Sequence, residues 1–207
     1  MIEHLIFDFD GTVSDSYPLF VEMMHVFAKE NGLEINCDDE ELNRHLKKTV
    51  IDAFLWLGWD KKSTPKAFLA RFHEFQAERY ADFKVFPEAL DLLEYAKSQG
   101  KKCYIYTHSG SVVNQIMEHM GIEHYFSFVL DGSHGFPAKP APNALNYLAE
   151  KFALDPKQCM MIGDRPIDAH AGMNAGMIGC LWDNDGLFPD AAVDHLVANL
   201  SKIKKLI

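Results

Sequence analysis

Leu5-Ile6-Phe7-Asp8-Phe9-Asp10-Gly11-Thr12-Val13-Ser14-Asp15-Ser16 opens the chain with an apolar run that delivers two acidic residues and then turns. The run Leu5–Phe9 reads as a strand ended by the turn signal Asp10-Gly11. A period of two puts Asp8 and Asp10 on one side, at the strand's C-terminal end, where ligands gather in open α/β sheets. Two like charges held that close need a cation, a proton or a phosphate-bearing ligand to balance them. The same residues also fit two turn-forming acids that merely end a strand. The remainder of the chain decides between the two.

From about Ser16 to Asp82 the pattern turns helical, with apolar positions at Leu19, Phe20, Met23, Met24 and Phe27, then Val50, Phe54, Leu55 and Leu57, then Phe68, Phe72 and Phe75. Breaks fall at Asn31-Gly32, Gly58 and Ser63-Thr64-Pro65, the last with the look of a capped helix start. Three or four helices and no strand are expected, their Phe and Met stripes forming a core. Phe83–Glu88 is a return linker, with a helix from Pro87 to Lys97 stopped by Gly100.

Strand and helix then alternate. Strands are expected at Cys103–Thr107, Phe126–Leu130, Cys159–Ile162 and Met177–Leu181, with helices at Val112–Met120, Asn143–Phe152 and Ile167–Asn174 between them. A shorter element near Val193–Leu206 closes the chain. Alternation at this spacing predicts an α/β, Rossmann-like parallel sheet with helices on both faces. The domain division is therefore residues 1–15 with 83–207 as the α/β core, and residues 16–82 as an inserted all-α helical bundle.

The 207 residues suffice for one large domain or a domain with an insert, and an apolar content of 48% supports a real core. A net charge of −10 argues against a general nucleic-acid or membrane surface. An anionic substrate has to be drawn by local positive charge or metal. Cys37, Cys103, Cys159 and Cys180 show no metal spacing, and the last three sit in apolar stretches as core thiols. The opening lacks a signal-peptide pattern and no run reaches membrane-spanning length, so a cytoplasmic protein is expected.

Polar residues of the core cluster where strands end. Thr107-His108-Ser109-Gly110 could present hydroxyls and N–H groups to an anion, or could simply cap a helix through Ser109 or Ser111. Lys139 lies among three prolines in Phe136-Pro137-Ala138-Lys139-Pro140-Ala141-Pro142, a restricted segment able to hold a lysine over a charged site. Gly163-Asp164-Arg165-Pro166-Ile167-Asp168 follows another strand and offers a second pair of acids. Four carboxylates in one crevice call for a divalent cation, and Mg²⁺ suits such hard oxygen ligands.

DxDGTxxDS, a Thr after the second strand, KPAP and GDxxxD, in that order, resemble the haloacid dehalogenase-like superfamily, and within it the phosphoglycolate-phosphatase and β-phosphoglucomutase-like branch with a helical cap. The resemblance implies a Mg²⁺-dependent phosphatase acting on a small anionic phosphorylated metabolite. Asp8 is then the nucleophile that forms an aspartyl-phosphate, and Asp10 the general acid and base. Thr107, the His108 N–H and Lys139 would hold phosphoryl oxygens, with Gly11 also among the substrate-binding residues. Asp8, the Asp10 carbonyl and Asp164 would bind the metal. Asp168 would be a further ligand, directly or through water, or a partner of Lys139. His108 stands where many relatives have Asn, and Arg165 where a small residue is common. Arg165 is then either a surface charge or a partner behind the site.

Specificity would come from the cap segment Arg44–Thr49, where Arg44, Lys47 and Lys48 could meet a substrate carboxylate or second phosphate. A solvated basic helix face is the simpler account of them. A monomer or homodimer is expected, with no nucleic-acid or membrane partner. The competing functions are a sugar-phosphate mutase using the same nucleophile, and a phospho-acceptor signalling or binding protein.

Overall fold

The computed structural model describes residues Met1–Ile207, which form two compact units. One joins Met1–Ser14 to Val85–Ile207, and the other is Asp15–Lys84. The expected cuts fall one residue later at the first crossing and two earlier at the second. The chain is pinned there by pairing on either side of the boundary. Ser14 bridges Val85 within the first unit, and the Asp15 N–H donates to the Lys84 carbonyl (2.8 Å) within the second.

The first unit is built on six strands, β1 His4–Phe7, β2 Lys102–Tyr106, β3 Phe126–Leu130, β4 Cys159–Gly163, β5 Ile178–Trp182 and β6 His195–Val197. They lie in the order β3-β2-β1-β4-β5-β6, all parallel. The chain fills one side of β1 first and then crosses to the other, so the topological switch falls at β1. Loops leaving β1 and its neighbours diverge there and open a crevice at the strands' C-terminal ends. In register, Phe7 stands between Ile105 and Ile162, so those three strands end level with one another.

The helices of this unit are α5 Pro87–Ser98, α6 Val112–Met120, α7 Asn143–Phe152 and α8 Pro166–Asn174, numbered after the four of the second unit. Alternation along the strands sorts the core. Ile6, Tyr104, Tyr106 and Met161 share one face with Ala144, Leu145 and Leu148 of α7. Leu5, Phe7, Cys103 and Ile105 occupy the opposite face and are fully or almost fully buried. α5 packs on β2 and on the closing 3-10 helix Leu200–Lys205. α8 runs close over the sheet because Gly172 and Gly179 leave the room. A Cβ at Gly179 would lie 2.4 Å from the Ala169 carbonyl oxygen.

The second unit holds α1 Tyr17–Asn31, α2 Asp39–Leu46, α3 Val50–Trp56 and α4 Pro65–Glu78, with 3-10 turns at Trp59–Lys61 and Tyr80–Asp82. Gly32 takes φ 59° and stops α1, and the Thr64 hydroxyl accepts the Ala67 N–H to start α4 behind Pro65. The core is aromatic, with Phe68 edge-on to Phe27 at 5.2 Å and near Phe54 at 5.0 Å. Arg71 with Glu30 and Arg79 with Glu22 tie α4 to α1.

Candidate active site

The opening strand is shorter than the apolar run suggests. β1 ends at Phe7, although the Asp8 N–H still donates to the Ile162 carbonyl (2.8 Å). The N–H groups of Val13 and Ser14 then turn back onto the Phe9 carbonyl at 3.0 and 2.8 Å, with Gly11 at φ 78°. Asp10 therefore lies in a turn, and strand alternation does not set its direction. Its Oδ2 accepts the Ser109 hydroxyl at 2.6 Å, a bond from the loop after β1 to the loop after β2. Ser109 thus serves Asp10 and does not cap α6; Ser111 holds that N-cap position without a side-chain bond.

Asp8 is 1% exposed and Lys139 has a fully buried ammonium. The Lys139 Nζ donates to Asp8 Oδ1, to Asp168 Oδ1 and to the Tyr106 carbonyl, each at 2.8 Å. All three ammonium hydrogens are thereby used. The Tyr106 ring adds a face 4.5 Å away. Lys139 reaches the crevice from the connection after β3, whose backbone is held from the side. The Lys139 N–H donates to His108 Nε2 at 3.0 Å, which requires a neutral imidazole with its proton on Nδ1.

Arg165 sits at the N-cap of α8 and faces inward. Its guanidinium donates to Asp8 Oδ2 at 3.2 Å and its Nε lies 3.5 Å from Asp168 Oδ2. Asp168 Oδ2 also accepts the Arg165 backbone N–H at 3.1 Å, which fixes the first turn of α8. Gly163 is bare because the Asp168 side chain lies over it. Asp164, 2% exposed, accepts from the Thr12 hydroxyl at 3.3 Å. Thr107 is buried, and its Oγ1 accepts the Ser109 N–H at 3.0 Å.

Burial works against the charge of every group here, and the neighbours decide the outcome. Burial pushes the Asp8 carboxyl up, but Lys139 and Arg165 outweigh it and hold the pKa below the usual carboxylate range. Burial also presses on the Lys139 ammonium, and Asp168 and Asp8 overcome it, leaving the pKa above its ordinary value. Asp168 goes the other way, raised by burial and by the Asp8 charge beside it. The two carboxylates that share Lys139 are thus pushed in opposite directions, Asp8 toward easier and Asp168 toward harder ionisation. His108 is exposed as a residue, yet its inward nitrogen is desolvated and faces Lys139, which pushes its pKa down to about 4.

Oxygens of Asp8, Asp164 and Asp168 approach within 4.8 Å of one another, all three residues buried. The donors are hard oxygens, and the cluster of three acids includes two, Asp8 and Asp168, that are paired with the cations Lys139 and Arg165. Both the chemistry and the surplus of negative charge fit a divalent metal. Lys47 and Lys48 belong to the helical unit. There Lys47 Nζ lies 5.4 Å from the centre of the Tyr17 ring and Lys48 Nζ is 3.8 Å from Asp52 Oδ2. Arg44 pairs with Glu40 along α2.

An open parallel sheet whose switch point carries a lysine-bridged set of buried acids defines an α/β enzyme of the Rossmann-like kind. The family model for haloacid dehalogenase-like hydrolases matches residues 5–181, and the chain belongs to that family. A phosphoglycolate phosphatase of Pasteurella multocida is 32% identical over 181 residues, covering 82% of this chain and 80% of its own. A glyceraldehyde 3-phosphate phosphatase of Methanopyrus kandleri is 27% identical over 233 residues, covering 100% of this chain and 99% of its own. Among solved structures, a predicted phosphoglycolate phosphatase from Haemophilus somnus shares the fold with a TM-score of 0.83 at 24% identity, over 99% of this chain and 97% of its own.

Proposed function

We propose that this protein is a Mg²⁺-dependent phosphatase that hydrolyses a small anionic phosphomonoester through a phosphoryl group carried on Asp8. The observation that carries the reading is Asp8 itself: a buried carboxylate at the end of the central strand, kept ionised by Lys139 and Arg165. The family and the phosphatases among its relatives support the same reaction class.

In the first step an Asp8 carboxylate oxygen bonds to phosphorus and the bond to the leaving alcohol breaks. Asp10, oriented by Ser109, gives that alcohol its proton. In the second step Asp10 takes a proton from water, the water oxygen bonds to phosphorus and the bond to Asp8 breaks, releasing inorganic phosphate. The Thr107 hydroxyl and the His108 N–H bind the phosphoryl oxygens, and Lys139 adds its buried positive charge behind Asp8, with Gly11 keeping the turn beside them open. Asp8, Asp164, Asp168 and the Asp10 carbonyl would hold the metal. It supplies the positive charge that lets an anionic nucleophile meet an anionic phosphate.

The helical unit is the proposed cap, enclosing substrate and setting specificity, with Lys47 and Lys48 the candidate contacts for a second anionic group. Phosphate release from p-nitrophenyl phosphate and a panel of small phosphomonoesters, phosphoglycolate and glyceraldehyde 3-phosphate included, tests the reading. Turnover is expected to need Mg²⁺ and to fall at least about 10³-fold in Asp8→Asn. Turnover that survives this substitution overturns the reading. Transfer between hydroxyls of a sugar phosphate would mark a mutase, and an aspartyl-phosphate that persists for minutes a signalling protein.

A further inference from the structure

Lys139 and Arg165 divide the oxygens of Asp8 and Asp168 between them. Lys139 takes Oδ1 of both acids. Arg165 faces Oδ2 of both, at 3.2 Å from its terminal nitrogen and 3.5 Å from Nε. Each acid has only two oxygens. The oxygens turned away from Lys139 are the pair over which Arg165 lies, so its positive charge stands where a cation bridging the two acids would compete with it. The two cations also differ in position. The Lys139 side chain is fully buried with every hydrogen committed, whereas the Arg165 side chain is 13% exposed and reaches the cluster from the rim. Its long, flexible stem can carry the guanidinium outward without moving the backbone of α8.

We infer that Arg165 is a placeholder for the metal: in the metal-free protein its guanidinium neutralises Asp8 and Asp168, and a divalent cation must displace it to bind. The inference rests on Asp8, Asp164 and Asp168 being the metal's ligands. It assigns Arg165 a use outside the two roles the sequence suggests, a surface charge or a supporting partner. Three buried carboxylates without their cation carry two positive neighbours, and removing either leaves like charges packed together at a cost. Arg165 therefore stabilises the empty site and weakens the filled one, which sets metal affinity below what the acids alone would give.

Calorimetric titration of Mg²⁺ into metal-stripped protein tests this, alongside thermal melts with and without Mg²⁺. Arg165→Met keeps the volume and removes the charge. It is expected to bind Mg²⁺ about tenfold more tightly than wild type or better, since a nearby positive charge is gone. It should also melt lower when stripped, and gain more from the metal. Arg165→Lys, which keeps the charge, should stay nearer wild type. Wild type that binds Mg²⁺ beside an Arg165→Met variant that binds no more tightly overturns the placeholder role and leaves the metal reading standing. Absence of binding in wild type and variant alike, with both folded, overturns the metal reading and the inference with it. Should Arg165→Met fail to fold, the wild-type protein still decides the matter. Its Arg165 Nε–H resonance, assigned by comparison with Arg165→Lys, must shift and exchange faster on saturation with Mg²⁺; an unchanged resonance overturns the inference.

Discussion

Gly163 has no room for a side chain: a Cβ built there would lie 2.3 Å from Asp168 Cβ and 2.5 Å from its Oδ2. Gly163→Ala must push Asp168 off its ion pairs with Lys139 and Arg165. Because a displacement of about an ångström in such a site costs on the order of 10² in rate, kcat for phosphomonoester hydrolysis is expected to fall about 100-fold in a protein that still folds. His108 makes a different prediction. Its folded pKa of about 4 lies below the unfolded value near 6.5, so the unfolded chain takes up the proton first. Stability contributed by neutral His108 is complete above pH 6.5, declines as pH falls toward 4, and changes no further below that. Replacing it in His108→Asn should flatten that part of the Tm-against-pH profile, read by thermal melts from about pH 8 to about pH 4. Arg165 could be named from the sequence and given a choice of roles, but its contact with Asp8 could not. That contact depends on which way a long side chain turns at a helix N-terminus.

Elements were legible where the pattern was long. Helices Val112–Met120 and Asn143–Phe152 and strand Phe126–Leu130 stand where periodicity and turn residues put them. The tail was not so readable: the single short element expected near Val193–Leu206 resolves into the three-residue strand His195–Val197 and a 3-10 helix, Leu200–Lys205. Three residues show no period, and only pairing with β5 makes them a strand. The cap of α4 could be read from residue type, whereas that of α6 could not, since Ser109 turns to Asp10 and Ser111 makes no side-chain cap bond. Thr64→Ala removes the hydroxyl that accepts the Ala67 N–H, and a loss of about 1 kcal/mol in unfolding free energy is expected from denaturant titration. An unchanged midpoint would show that Pro65 suffices to start α4.

Each of the two units has a core of its own, so damage to one should leave the local chemistry of the other intact. Phe68 is fully buried between Phe27 and Phe54 in the helical unit, and Phe68→Ala is expected to cost roughly 3–5 kcal/mol of stability. At temperatures where that variant remains folded, its calorimetric Mg²⁺ affinity should match wild type, because every proposed ligand lies in the sheet unit. A loss of affinity there would make the metal site a property of the whole chain. The family match over residues 5–181 spans both units, and no helix is long and apolar enough to cross a membrane.

By itself the sequence determined the helical insert, the alternating strands and helices, and the order of the acid, hydroxyl, lysine and acid-pair motifs. All of these follow from periodicities and turn residues that act over a few positions. Tertiary structure alone decided that β1 lies between β2 and β4, that Lys139, from the connection after β3, reaches Asp8 and Asp168, and that Arg165 closes over Asp8. Charge pairing joins residues 131 and 157 positions apart along the chain. Nothing local encodes such a partner. The burial and charge balance of the folded chain select it.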